Sequence, residues 1–168
     1  ILSDLTFVIA EDSLLNMPDT IFSSSFNDVD NVEMSRIRIT SLPVQGDIYF
    51  NGDLIESSEE ILFNQLESIT YQPDLNYFGE DGFTWNAYDG ISYALDSATV
   101  SISVTPVNDA PVISELSDQV IDEDSILDGM VINISDAETL PGFLSISAFS
   151  SDTNFVQDNN IIIEGNSS

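Results

Sequence analysis

The sequence predicts an all-β protein, an antiparallel β-sandwich used in tandem. Three observations carry this. Apolar and polar residues alternate over short runs: Ile37 and Ile39 against Arg36 and Arg38, and Ala98, Val100, Ile102 and Val104 against Thr99, Ser101 and Ser103. A period of two marks a half-buried strand. Turn-forming residues punctuate these runs at short intervals, and no long helical period intervenes. A pattern near the start also returns. Glu11-Asp12-Ser13 recurs as Glu123-Asp124-Ser125, 112 positions on, and Asp28-Val29-Asp30 is echoed by Asp136-Ala137-Glu138, 108 positions on. A period of that length is one small domain repeated.

The elements follow in order. Leu5 to Ile9 is a first strand, Thr20 to Phe26 a second, and Met34 to Leu42 a third. Gln45-Gly46-Asp47 turns the chain into Ile48-Tyr49-Phe50, which runs into Asn51-Gly52. That dipeptide is the strongest short hairpin signal, because both positions tolerate positive φ. Ile61 to Leu66 reads as one helical turn, and Ser68 to Gln72 as a strand stopped by Pro73. Phe83, Trp85 and Ala87 share a face, opposite Thr84, Asn86 and Tyr88, so Trp85 is a core residue and not a sugar platform. Ser97 to Thr105 completes roughly seven strands, the number of a small sandwich. Val120-Ile121, Met130 to Ile134, Phe143 to Phe149 and Ile161-Ile162-Ile163 are strand candidates of the second copy.

The expected organisation is a domain over 1–107, a linker over 108–112, and the N-terminal half of a second domain over 113–168. Half the strands of a sandwich leave an apolar face bare, which predicts that something covers it: first another copy of the chain, otherwise the missing strands on a separate piece or the first domain folding back. The chain starts directly in a strand pattern with no leader, which reads as a piece of a longer protein.

Composition narrows the function. Thirty acidic side chains stand against two basic ones, Arg36 and Arg38, for a net charge of −28. Nucleic acid and anionic membrane surfaces are excluded as partners, since both require basic residues. No apolar run approaches the ~18 residues that span a bilayer, so no membrane insertion is expected. Without Cys there are no disulfides, soft-metal sites or thiol chemistry. Without His, Cys or Lys, only carboxylates can act as bases or nucleophiles, and nothing in the pattern marks two of them. The expectation is that the chain is not an enzyme. Asn133-Ile134-Ser135 and Asn166-Ser167-Ser168 fit the N-glycosylation pattern, which is short enough to arise by chance.

The strongest candidate site is the linker. Pro106-Val107-Asn108-Asp109-Ala110-Pro111-Val112 carries carbonyl and carboxylate oxygens to the joint between two domains, and a hard cation such as Ca²⁺ needs six to eight oxygens. The alternative is a solvated turn, since Asn, Asp and Pro all form turns. The Asp28 segment is not an EF-hand, because Val32 and Glu33 stand where that loop needs Asp and Gly.

Asn108-Asp109-Ala110-Pro111 resembles the calcium-binding linker between cadherin repeats. Ile69 to Trp85, running through Gly79-Glu80-Asp81-Gly82 into Tyr88-Asp89-Gly90, is similar to the cadherin-like tandem repeats of large bacterial surface and secreted proteins. The resemblance implies an immunoglobulin/cadherin-like Greek-key sandwich. It implies that Glu11 and Glu123 are first-strand glutamates. It also casts Asp28/Asp30 and Asp136/Glu138 as Asp-x-Asp pairs. Glu11, Asn108, Asp109, Asp136 and Glu138 then form the joint site, with Asp81 a further candidate. Asp28, Asp30 and Asp89 would form the equivalent set at the other pole of the first domain. The function so implied is a Ca²⁺-stiffened structural and adhesion module, secreted or at the cell surface. Its partners would be adjacent repeats of the same protein, and beyond those cell-surface glycans or another copy of itself. The alternative is a calcium-dependent carbohydrate- or cell-binding module appended to a secreted enzyme.

Overall fold

Two sheets build the first of the two units into which the chain divides, Ile1–Val107, and the second unit begins at Asn108. The computed structural model describes residues 1–165. The first unit contains β1 (Leu5–Ala10), β2 (Leu15–Met17), β3 (Arg36–Ser41), β4 (Gly46–Phe50), β5 (Asp53–Leu54), β6 (Glu60–Leu62), β7 (Ile69–Pro73), β8 (Gly79–Tyr88) and β9 (Ala98–Thr105). One sheet has the order β1-β9-β8-β3-β6 and the other β2-β7-β4-β5. Every pairing is antiparallel except β1 with β9, which run parallel from Leu5 opposite Val100 to Ala10 opposite Thr105. The fold is all-β, as the alternation predicts.

The same alternation decides what is buried. Ile37 and Ile39 of β3, Phe83, Trp85 and Ala87 of β8, and Ala98, Val100, Ile102 and Val104 of β9 all lie in one hydrophobic cluster. Ile48 of β4 and Tyr71 of β7 bring the other sheet into that cluster. Burial of each such side chain contributes roughly 1.5–3 kcal/mol. Phe22 meets Trp85 edge to face, with ring centres 5.1 Å apart. Asn51 and Gly52 adopt φ of +52° and +87°, which closes the β4–β5 hairpin. At Gly82 the strands approach so closely that a Cβ would stand 2.3 Å from the Val100 carbonyl oxygen, so only glycine fits that point of the β8–β9 ladder.

Strand β2 is not among the expected elements, the parallel β1–β9 pairing departs from the expected antiparallel pattern, and three expected elements differ. Thr20 to Phe26 is not a strand but holds a short helix, α1 (Asp19–Ser24). Extended Pro18 starts it, and Ser23, Ser24 and Ser25 donate their hydroxyls back to the carbonyls of Thr20 and Ile21. Local bonding by a serine run thus outweighs strand propensity. The expected helical turn near Ile61 begins as strand β6 and coils only from Phe63. β8 starts at Gly79, ahead of the Phe83 alternation.

The second unit is sparer. β10 (Val112–Ile113) pairs antiparallel with β11 (Ile134–Ser135), and Ser114 and Asn133 extend the ladder by two hydrogen bonds. Short 3₁₀ turns lie at Pro141–Phe143 and Asp158–Asn160. Among the described residues of this unit none is buried. Of the expected strands only the end of Met130 to Ile134 enters a ladder; Val120-Ile121, Phe143 to Phe149 and Ile161 to Ile163 form none. Asn133-Ile134-Ser135 sits at the β10–β11 pair, and Asn166-Ser167-Ser168 lies outside the described residues. No helix among the described residues is long and apolar enough to cross a membrane.

Candidate functional site

Glu11 follows directly on β1. Its own N–H donates to Thr105 at the end of β9, so the parallel pairing carries the residue to the close of the unit. The side chain is 2% exposed. One carboxylate oxygen accepts the N–H of Val107 at 2.6 Å, and the other, Oε2, is buried with no hydrogen-bond partner. A carboxylate oxygen removed from water without a donor costs free energy unless a cation or water meets it.

The second unit contains a similar arrangement. Glu138 accepts the N–H of Asp109 at 3.0 Å through Oε2, while its Oε1 is buried and has no partner. Asp136 holds that loop in shape, accepting the N–H groups of Glu138 at 3.2 Å and Thr139 at 2.7 Å. Hydrogen bonding by the Thr139 side chain, then by these main-chain groups, holds the Asp136 carboxyl below its ordinary range. Asn108 is exposed, and its amide donates to the Asp109 carbonyl at 2.7 Å. Glu11 and Glu138 therefore each clasp a main-chain N–H, at Val107 and Asp109, two residues apart in sequence.

The two sequence echoes are also echoes of backbone shape. Asp12 and Asp124 both take φ of +58°, and Ser13 and Ser125 both donate their hydroxyls to the carbonyl three residues before, Ala10 and Asp122. Asp28 accepts the N–H of Asp30 at 2.9 Å, the same Asx turn that Asp136 makes with Glu138. Burial does not follow the echo: Glu123 is exposed where Glu11 is buried.

The other candidates hold loops. Asp89 accepts the N–H groups of Ser92 and Ile91 at 2.7 and 2.6 Å, and these bonds keep its carboxyl below the ordinary range. Asp28 also accepts Val32 at 3.1 Å, while Asp30 is exposed. Asp81 accepts the N–H groups of Val44 and Gln45 and the hydroxyl of Tyr71, at 2.9, 3.1 and 2.8 Å. It thereby fastens the β3–β4 connection onto β8; burial, and then the bond to Asp81, pushes the Tyr71 pKa upward. Among the described residues, no three His, Cys, Asp or Glu side chains converge into a metal-holding group.

No protein cation answers Glu11 or Glu138. Arg36 pairs with Glu60 at 2.8 Å and stacks on Tyr88, and Arg38 stacks on Tyr93. The carboxylates of Glu11 and Glu138 are each of the kind a hard cation takes: charged oxygen donors with one oxygen buried and, among the described residues, without a proton donor. The main-chain partner of Glu11 was invisible in the sequence, as was the Arg36–Glu60–Tyr93 network, whose only signal is the placing of two arginines on one strand face. The sequence matches no protein-family model and no curated protein.

Proposed function

We propose that this chain is a calcium-binding structural and adhesion module of a secreted or cell-surface protein, in which Ca²⁺ at the joint rigidifies a tandem array. The single observation that supports it best is the pair of buried carboxylate oxygens, Glu11 Oε2 and Glu138 Oε1, that lack any donor. Both belong to a chain whose only two cations are engaged elsewhere. In this reading Glu11, Asn108, Asp109, Asp136 and Glu138 supply oxygens across the joint. Asp28, Asp30 and Asp89 serve the opposite pole of the first unit, Glu123 serves the second unit, and Asp81 keeps its fastening role. The first unit is then a Greek-key sandwich of the cadherin-like kind, and neighbouring repeats are its partners.

Thermal melting in millimolar CaCl₂ and in EDTA, at matched ionic strength, tests this. A ligand that binds only the folded state stabilises by about 2.7 kcal/mol at a hundredfold excess over its Kd. Equal midpoints in the two buffers would show that salt screening alone suffices and would end the calcium reading.

A further inference from the structure

Arg36 and Arg38 are the only basic side chains of the protein, and β3 puts both on one face. Ile37 and Ile39 between and after them are fully buried, so the arginine side is the outer face of the sheet. The register fixes the neighbours. Arg36 stands between Tyr88 of β8 and Leu62 of β6, and Arg38 between Asn86 and Glu60. Tyr93, on the β8–β9 connection, joins the group through its bridge to Tyr88. The Arg36 guanidinium lies 4.8 Å from the Tyr88 ring centre, and that of Arg38 4.1 Å from the centre of Tyr93.

The donors of this face divide sharply. The Tyr88 hydroxyl donates to the Gly90 carbonyl, and the Tyr93 hydroxyl to Glu60. Arg36 donates to the same Glu60. Arg38 stacks on Tyr93 and is attracted by Glu60, which stands opposite it in the ladder, but among the described residues no hydrogen bond or close ion pair engages its guanidinium. Aliphatic side chains on the same face and on the β8–β9 connection are open to solvent. Leu62 is half exposed, and Ile91 and Leu95, flanking Tyr93 on the β8–β9 connection, are 80% and 97% exposed.

We propose that this outer face docks a protein partner through an acidic segment, with a carboxylate on Arg38 and flanking aliphatic side chains on Leu62, Ile91 and Leu95. Charge complementarity names the partner's sign: both basic side chains of a chain of −28 stand on this face, and the one carboxylate between them, Glu60, is bonded to Arg36 and Tyr93. Arginine and tyrosine among aliphatics form the composition of a protein interface core. Both phenol protons are already donated, so Arg38 is the group of this face left to donate to a ligand, which favours a carboxylate. Ring stacking fixes the Arg38 fork in advance, so little side-chain freedom is lost on contact. The remaining negative field reaches only about 8 Å at physiological salt, so the local contact decides. The surface shares no residue with the calcium joint and stands independently of it.

The test uses the whole chain and two synthetic peptides, one alternating leucine and aspartate, the other its asparagine counterpart. Titration is followed by NMR at the Arg38 side-chain N–H and the Tyr93 amide. The aspartate peptide should shift both signals and bind about threefold to fivefold more tightly than the asparagine peptide, the margin of an exposed ion pair. Arg38→Gln should remove that margin. Leu95→Ser should weaken binding at least threefold with an unchanged melting midpoint, since a side chain so exposed does not hold the fold. Equal affinity for both peptides, undiminished binding by Arg38→Gln, or absence of binding at millimolar peptide would overturn the proposal. So would an oligouronate that moves the same signals while the peptide does not.

Discussion

Phe83 and Ile146 both stand on the apolar side of a short alternating run, yet Phe83 is 1% exposed in the core and Ile146 is only partly covered. The difference lies in what surrounds them. β8 has ladder partners on both sides, β9 and β3, and its inner face joins a cluster that includes residues of the second sheet. Residues 143–149 have no ladder partner among the described residues. A period of two therefore states only which face a strand would bury. Whether it becomes a strand depends on neighbours that satisfy its N–H and C=O groups and a facing layer that takes its side chains. The first unit supplies both conditions, and the second supplies neither to residues 143–149.

Core truncation should break the comparison open most widely. Trp85→Ala is expected to cost the first unit about 3–5 kcal/mol in urea unfolding, because it leaves a cavity under Phe22. Phe149→Ala, in the same run as Ile146 and 78% exposed, should cost less than ~0.5 kcal/mol, as exposed positions do. A loss above 1 kcal/mol at Phe149 would mean that another surface covers it.

Next in size is the cation response. Glu11→Gln keeps an oxygen for the Val107 N–H but removes the charge, and Glu138→Gln does the same for Asp109. Each variant should lose most of the calcium-dependent gain of about 2.7 kcal/mol at hundredfold excess. If Glu138→Gln keeps the full gain while Glu11→Gln loses it, the cation belongs to the first unit alone.

Asp81→Ala should cost about 2 kcal/mol, because three donors lose a charged acceptor. Its calcium increment, measured by the same melts, should equal that of the unaltered chain. A lost increment would move Asp81 from fastener to ligand.

The smallest effect is in acid. Asp89 in the first unit and Asp136 in the second both titrate below the ordinary aspartate range. A lowered folded-state pKa contributes stability that is present above the ordinary value and is lost as pH falls through the lowered one. Carboxyl NMR titration should show both midpoints below those of exposed aspartates. Midpoints in the ordinary range would show that the Ser92 and Thr139 bonds do not persist in solution.

Much of the first unit is legible in the sequence because its rules are local. Ile37 and Ile39, the β9 alternation, the Asn51-Gly52 hairpin and the interior place of Trp85 all follow from residue type and period. The parallel β1–β9 pairing does not, since it joins residues 95 positions apart. The helix at Asp19 was masked by residues of high strand propensity, Thr20, Ile21 and Phe22, whose backbone is captured by serine hydroxyls. In the candidate site the acidic types were legible and their employment was not. Whether an aspartate caps a loop, as Asp28 and Asp89 do, or leaves an oxygen bare depends on main-chain groups that carry no sequence signal.

The parallel run of β1 beside β9 has a mechanical consequence. A tension applied at the start of β1 and the end of β9 pulls the two strands lengthwise past each other, so the load falls on all the bonds of the ladder together. A hairpin pulled at its open ends, as β4–β5 would be, yields one bond at a time. Forced rupture is governed by the rate of unfolding and not by equilibrium stability. The evenly spaced bonds between Leu5–Ala10 and Val100–Thr105 thus share such a load along their whole length.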